Sequence, residues 1–162
     1  MSPSELWQAY LLINPTAGSQ PEAWAFGAEA DRLAGLVLAG QKTATSSAYD
    51  LYQLAGEDLP KEGGYDILLD GQGQAFAVLA TRKVYVCPFD QVMEEHAYQE
   101  GEYEPLPGES ADLESFKAAS LLHWRQVHED FFTVALMEAG LNFSEKMLVV
   151  CEEFELVYRP ED

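Results

Sequence analysis

The first apolar residues of the chain fall at helical spacing: Trp7, Tyr10 and Leu11, with Asn14 one turn on. This run has both a start and a stop. Ser2 can cap it, Pro3 suits the first helical position, Glu5 completes a capping box, and Asn14-Pro15 ends it. The stretch TAGSQPEAWAFG then predicts a loop whose Trp24 and Phe26 tuck into the core. A second helix is predicted over 28–39, with Leu33, Leu36 and Val37 on one face and Gly40 at its end.

After a tyrosine-rich connection the period drops to two. Ile67 to Leu69 predict a short strand, Asp70-Gly71-Gln72-Gly73 a turn, and Gln74 to Val86 a longer strand returning beside the first. Along the second strand Phe76, Val78 and Ala80 share a face with Arg82, Val84 and Val86. Arg82 is therefore a charge on an apolar face. It calls either for a partner or cavity, or for a strand-end arginine reaching water.

Pro88 breaks that strand, and FDQVMEEHAYQEG resumes as a helix. Residues 101–113 predict an acidic loop with prolines and glycines, followed by a long helix over 113–139. Its expected core face is Trp124, Val127, Phe131 and Ala135, with Gly140 closing it. MLVVCEEFELVY predicts a last strand, and RPED a short tail. Two helices, strands, two helices and a strand make an α+β domain around a small curved sheet or barrel.

Charge narrows the partners. The chain has 28 acidic and nine basic residues, a formal net charge of −19. Residues 93–114 alone carry eight acids and no Lys or Arg. Nucleic-acid affinity depends on neutralising several phosphates, so RNA is a disfavoured partner and a small neutral or cationic ligand suits the chain better. No apolar run approaches the roughly 20 residues of a membrane span, so no membrane partner is expected. The start MSPSELWQAY lacks a basic, then apolar, leader pattern. Cys87 and Cys151 are accordingly expected as reduced core residues of a cytoplasmic protein.

The candidate chemistry begins at GQKTAT, residues 40–45. Taken alone, it reads as a glycine-capped helix end with a cation complementing the dipole. The histidines add little: His123 and His128 are five apart and do not stack as a zinc pair, and His96, among glutamates, is expected to be exposed. There is no phosphate loop, G-x-S-x-G elbow or dinucleotide fingerprint. Neither a metal nor a cofactor is expected.

Several blocks nevertheless occur together and in order: AEADRLAGLVLAGQKTATSSAYDLY, LPKEGGYDILLDGQGQAFAVLATRKVYVCPFDQV, EEHAYQEGE, HWRQVHEDFF and MLVVCEEFELVY. In these the chain resembles bacterial ASCH-domain proteins, most closely the longer stand-alone branch, over about residues 25–158. The resemblance implies a PUA-like small β-barrel with flanking α-helices and a cleft beside the G-x-K-T-x-T turn. It divides the chain into an N-terminal helix and loop over 1–24, the ASCH domain over 25–158 and a tail over 159–162.

Members of this superfamily have been proposed to bind RNA. One small branch instead hydrolyses the amide of cytidine acetylated on its exocyclic nitrogen, using a lysine, a threonine and a glutamate. The matching positions are Lys42 and Thr45 in the K-T-x-T turn and Glu100 at the end of EEHAYQE. The expected catalytic residues are therefore Lys42, Thr45 and Glu100, with Gly40, Thr43, Ser46, Arg82 and Arg125 binding substrate. The chain departs from that branch in carrying Ser47 where the small enzymes have arginine, and in its long acidic loop.

Two chemistries fit the resemblance. In the first, Thr45 attacks the acetyl carbon, Lys42 removes its proton and Glu100 moves protons or orients the leaving amine. In the second, Glu100 activates a water while charged Lys42 and turn amides stabilise the oxyanion. The alternative function is a non-catalytic reader of RNA or a modified nucleoside, with Lys42, Arg82 and Arg125 as contacts and Tyr49 or Tyr52 as stacking surfaces.

Overall fold

The computed structural model describes residues 1–108 and 112–161. Residues 109–111 of the expected acidic loop and Asp162 of the tail lie outside the described residues. The chain forms two compact units, one of residues 1–43, 61–83 and 153–162, the other of residues 44–60 and 84–152. Among the described residues five strands, β1 (Ala23–Trp24), β2 (Ala44–Ala48), β3 (Tyr65–Leu69), β4 (Ala75–Pro88) and β5 (Leu148–Tyr158), form one sheet in the order β1-β3-β4-β5-β2. This is the expected α+β architecture, but the expected small barrel is not closed: β1 and β2 are the edges of the sheet.

In the first unit, helix α1 (Pro3–Ile13) begins with the expected capping box: Glu5 N–H donates to Ser2 Oγ at 3.2 Å and Ser2 N–H to Glu5 Oε2 at 2.7 Å. Leu6, Trp7 and Tyr10 are buried and pack with Ile67, Ala75 and Val78. Asn14, which ends the helix, donates to the hydroxyls of both Tyr10 and Tyr65 at 3.2 Å. Strand β1 (Ala23–Trp24) lies where a loop was expected and runs parallel to β3 (Tyr65–Leu69). Helix α2 (Ala30–Leu38) buries Leu33, Ala34 and Val37.

The predicted hairpin is present. β3 pairs antiparallel with β4 (Ala75–Pro88), Ile67 opposite Val78. Asp70 shapes the turn, its Oδ1 accepting from the N–H groups of Gln72 and Gln74 at 2.8 and 3.0 Å. Gly73, at φ +80°, supplies the left-handed residue that the return needs. On β3, burial pushes the Asp66 carboxyl up to about 6, although Trp24 donates to it and opposes the shift.

The second unit holds β2 (Ala44–Ala48), helix α3 (Tyr49–Ala55), a one-turn 3-10 helix (Phe89–Gln91), α4 (Glu94–Glu100) and α5 (Leu113–Glu138). The last strand, β5 (Leu148–Tyr158), like β4, contributes residues to both units. Phe89, Trp124, Phe132, Leu136, Met147 and Val149 form the core here. Both cysteines are free, Cys151 buried and Cys87 half-buried in the same cluster.

The register of α5 corrects the expectation. Its buried face is Ser120, Trp124, His128, Phe132 and Leu136. Val127 and Phe131 are 38% and 39% exposed. The apolar pattern alone favoured Val127 and Phe131 because the true stripe passes through a serine and a histidine. No helix among the described residues is long and apolar enough to cross a membrane.

Two measurements check this packing. Phe132→Ala is expected to lower unfolding stability by about 3–5 kcal/mol and Phe131→Ala by about 1 kcal/mol or less in denaturant titrations. The reverse order would mean the α5 face is wrong. Asp66 binds its proton more tightly folded than unfolded, so its contribution is full below about pH 4 and declines as pH rises through about 6. Asp66→Asn should remove that decline, on the order of 2–3 kcal/mol between pH 4 and pH 7, in paired denaturation curves.

Candidate functional site

The segment that opens with Gly40 is tightly constrained. Gly40 sits just past α2 at φ +77°, a conformation in which a side chain would be strained. The N–H groups of Gln41 and Lys42 both reach the Leu36 carbonyl, at 3.0 and 3.1 Å. The Thr43 carbonyl then accepts from Phe154 N–H at 2.9 Å, tying the segment to β5. Between these anchors Lys42 is 1% exposed, with its ammonium 5.2 Å from the centre of the Phe26 ring. Gly40 and Thr43 themselves are exposed.

Past Thr43 the chain becomes β2, whose residues alternate in direction. Ser46 shares a face with buried Ala44 and Ala48, while Thr45 and Ser47 take the other parity. Ser47 Oγ lies 2.9 Å from the Tyr52 hydroxyl. Ser46 Oγ instead donates to Glu100 Oε2 at 2.6 Å and lies 2.7 Å from His96 Nε2.

Glu100 is the centre of this arrangement. It is 1% exposed, at the last turn of a seven-residue helix that Gly101 terminates at φ +70°. Its Oε2 accepts from Ser46 Oγ–H and from the indole Nε1–H of Trp124, and lies 3.1 Å from His96 Nε2. His96 precedes it by one helical turn and is also buried, contrary to its expected exposure. His96 Nδ1 is buried and makes no hydrogen bond, so its ring proton belongs on Nε2, where Ser46 and Glu100 accept it.

The other carboxylate oxygen meets the second histidine. His128 Nδ1 donates to the Trp124 carbonyl at 2.9 Å, and its ring stacks on the Trp124 indole at 4.3 Å. That bond aims Nε2 at Glu100 Oε1, 3.6 Å away. Burial alone would lower the His128 pKa, but the charge of Glu100 and a hydrogen bond to it prevail and raise it, with Glu102 adding to the effect. A small recess of about 10 Å³, room for about one water, opens onto this group, lined by Glu100, Glu102, Tyr103, His123, Trp124 and His128 among others.

Two expected binding residues have other contacts. Arg82 is exposed and paired with Glu155 at 2.8 Å, so a surface carboxylate answers the charge on β4. Arg125 donates to the backbone carbonyls of Asp90 and Val92 at 3.2 and 3.4 Å, holding the turn that leads into α4.

The ASCH domain model matches residues 22–158. The chain belongs to the ASCH domain family. A solved ASCH domain from Lactobacillus crispatus is 28% identical and superposes with a TM-score of 0.82, over 97% of this chain and 94% of that one. A crystal structure of an Enterococcus faecalis protein, assigned to the family model DUF984, is 36% identical with a TM-score of 0.82, over 96% of this chain and 87% of that one. No curated protein matches the sequence.

In this ASCH domain sequence reasoning missed His96, Trp124, His128 and Glu102 as partners of the site. The i, i+4 spacing of His96 and Glu100 was the available signal. Ser46→Ala, which removes a donor from a buried carboxylate, is expected to cost about 1.5–3 kcal/mol in denaturant unfolding. Ser47→Ala, on the other strand face, should cost less than about 1 kcal/mol. Equal costs would remove Ser46 from the network.

Proposed function

We propose that this ASCH domain hydrolyses an amide of a small modified nucleoside, such as cytidine acetylated on its exocyclic nitrogen. The observation that carries this reading is the division of labour within one buried carboxylate. Glu100 Oε2 is taken up by the Ser46 and Trp124 donors, which fix its orientation, while the residue also lines the recess. A carboxylate held rigidly at the edge of a small pocket is suited to moving a proton at one position.

The chemistry balances with water as the second reactant. Glu100 accepts a proton from the attacking water as its oxygen bonds to the acetyl carbon. Lys42 and backbone amides stabilise the oxyanion. As the C–N bond breaks, Glu100 returns the proton to the exocyclic nitrogen, giving acetate and cytidine. Thr45 replaces water as the first nucleophile in the covalent variant, with the acetyl-threonine hydrolysed in a second step. Lys42 and Thr45 enter this reading through the resemblance of the K-T-x-T turn to that of the acetylcytidine hydrolases. The net charge of −19 suits a single nucleoside better than a long polyanion.

The test is incubation of the purified protein with N-acetylated cytidine and a panel of acylated nucleosides, following release of the free base amine. Lys42→Ala and Glu100→Gln should each reduce turnover at least 100-fold, the scale of a lost general acid–base or electrostatic group, and Thr45→Ala should do so on the covalent route alone. Turnover unchanged in all three variants would remove the site. An acetyl group found on Thr45 by mass spectrometry would select the covalent route.

A further inference from the structure

Glu100, Glu102 and His128 bring three donor atoms within 4.8 Å of one another. Two of the residues are buried and the third is half-buried, so the group is not a solvated acidic surface. His128 is 8% exposed, and its orientation is set from outside the group. The Trp124 carbonyl accepts from Nδ1–H, leaving Nε2 as the nitrogen presented to the two carboxylates. This is how a metal-ligating histidine is usually held, with its second nitrogen on a backbone carbonyl. The Glu100 carboxylate is likewise fixed by Ser46 and Trp124 through Oε2, with Oε1 turned towards His128.

The His128–Glu100 pair is close to the spacing of two ligands on one ion. Ligands bound at about 2.1 Å to a tetrahedral centre lie about 3.4 Å apart, and Nε2 and Oε1 are 3.6 Å apart. The same three residues line the recess, which supplies an entry path and room for a water as fourth ligand. His123 also lines it. An imidazole and two carboxylates are the donor types that suit zinc and manganese.

We propose that Glu100, Glu102 and His128 form a binding site for a divalent first-row metal ion. Histidine spacing along the sequence does not reveal the group, because the carboxylates come from α4 and the residues just past it, and the imidazole from α5. The site shares Glu100 with the hydrolase reading but does not rest on it. An ion bound there would occupy the carboxylate that the hydrolysis uses.

The test measures binding without substrate. Chelator-treated protein is titrated with Zn(II), and separately with Mn(II), by calorimetry and by competition with a chromogenic chelator. One equivalent of at least one of the two ions should bind, and Glu102→Gln and His128→Gln should each weaken it at least tenfold. Glu94→Gln, an exposed acid on α4, should leave it unchanged. Glu102→Gln keeps the test decisive should His128→Gln fail to fold. The proposal is overturned by failure of both ions to bind stoichiometrically, or by binding that Glu102→Gln leaves intact. Nucleoside hydrolysis by the metal-free protein is a separate readout, so either proposal can fail without the other.

Discussion

A carboxylate with 1% exposure sets terms for everything around it. Taking an ionised group out of water costs several kcal/mol unless donors replace the lost hydration. For Glu100 those donors come from residues far apart in sequence. Ser46 on β2 is 54 positions away and Trp124 on α5 is 24. The His96 ring, one turn back on α4, adds a third contact. Three elements must therefore be in register before this side chain is satisfied, which makes the network a strong selector of one packing.

The supporting structure is organised to keep those elements in place. Arg125, on the same helix as Trp124, holds the carbonyls of Asp90 and Val92 at the entry to α4. The backbone of Phe89 and Asp90 donates to the carbonyls of Met147 and Glu145, at 2.8 and 3.0 Å. The turn before α4 is thus fixed on two sides. Such contacts convert a seven-residue helix, too short to be stable alone, into a rigid carrier for His96 and Glu100.

What could be read from the sequence was mostly what is encoded locally. The capping box at Ser2, the stop at Asn14, the Asp70 turn and the glycine ends at Gly40 and Gly140 depend on neighbours within a few residues. β2 was invisible because ATSSA has no large apolar residue to mark its inner face. The α5 register failed for a related reason: its inward stripe includes Ser120 and His128, polar residues buried by non-local partners. His96 looked exposed beside Glu94 and Glu95, which are indeed exposed, yet a helix turns the third residue inward. The site was visible as two motifs; the contacts joining Ser46, Trp124 and His128 to the second were not, because spacing carries no information about them.

One local feature does reach across this gap. The left-handed turn at Gly40 sets the phase of the chain that follows, so that Lys42, Ala44 and Ala48 are buried while Gln41 and Thr43 are exposed. In an extended segment that phase decides which hydroxyl of T-x-T-S-S faces inward. Ser46 meets Glu100 because it is an even number of residues from Ala44. A one-residue insertion between Gly40 and Thr43 could be absorbed in the turn, since the β5 contact made by the Thr43 carbonyl would still fix the strand. An insertion between Thr43 and Ser46 could not be absorbed. Made before Thr45, it would place Thr45 where Ser46 stands and bring an extra methyl group against the buried Glu100 carboxylate. The spacing from Thr43 to Ser46, more than the glycine itself, is what ties the motif to the buried carboxylate.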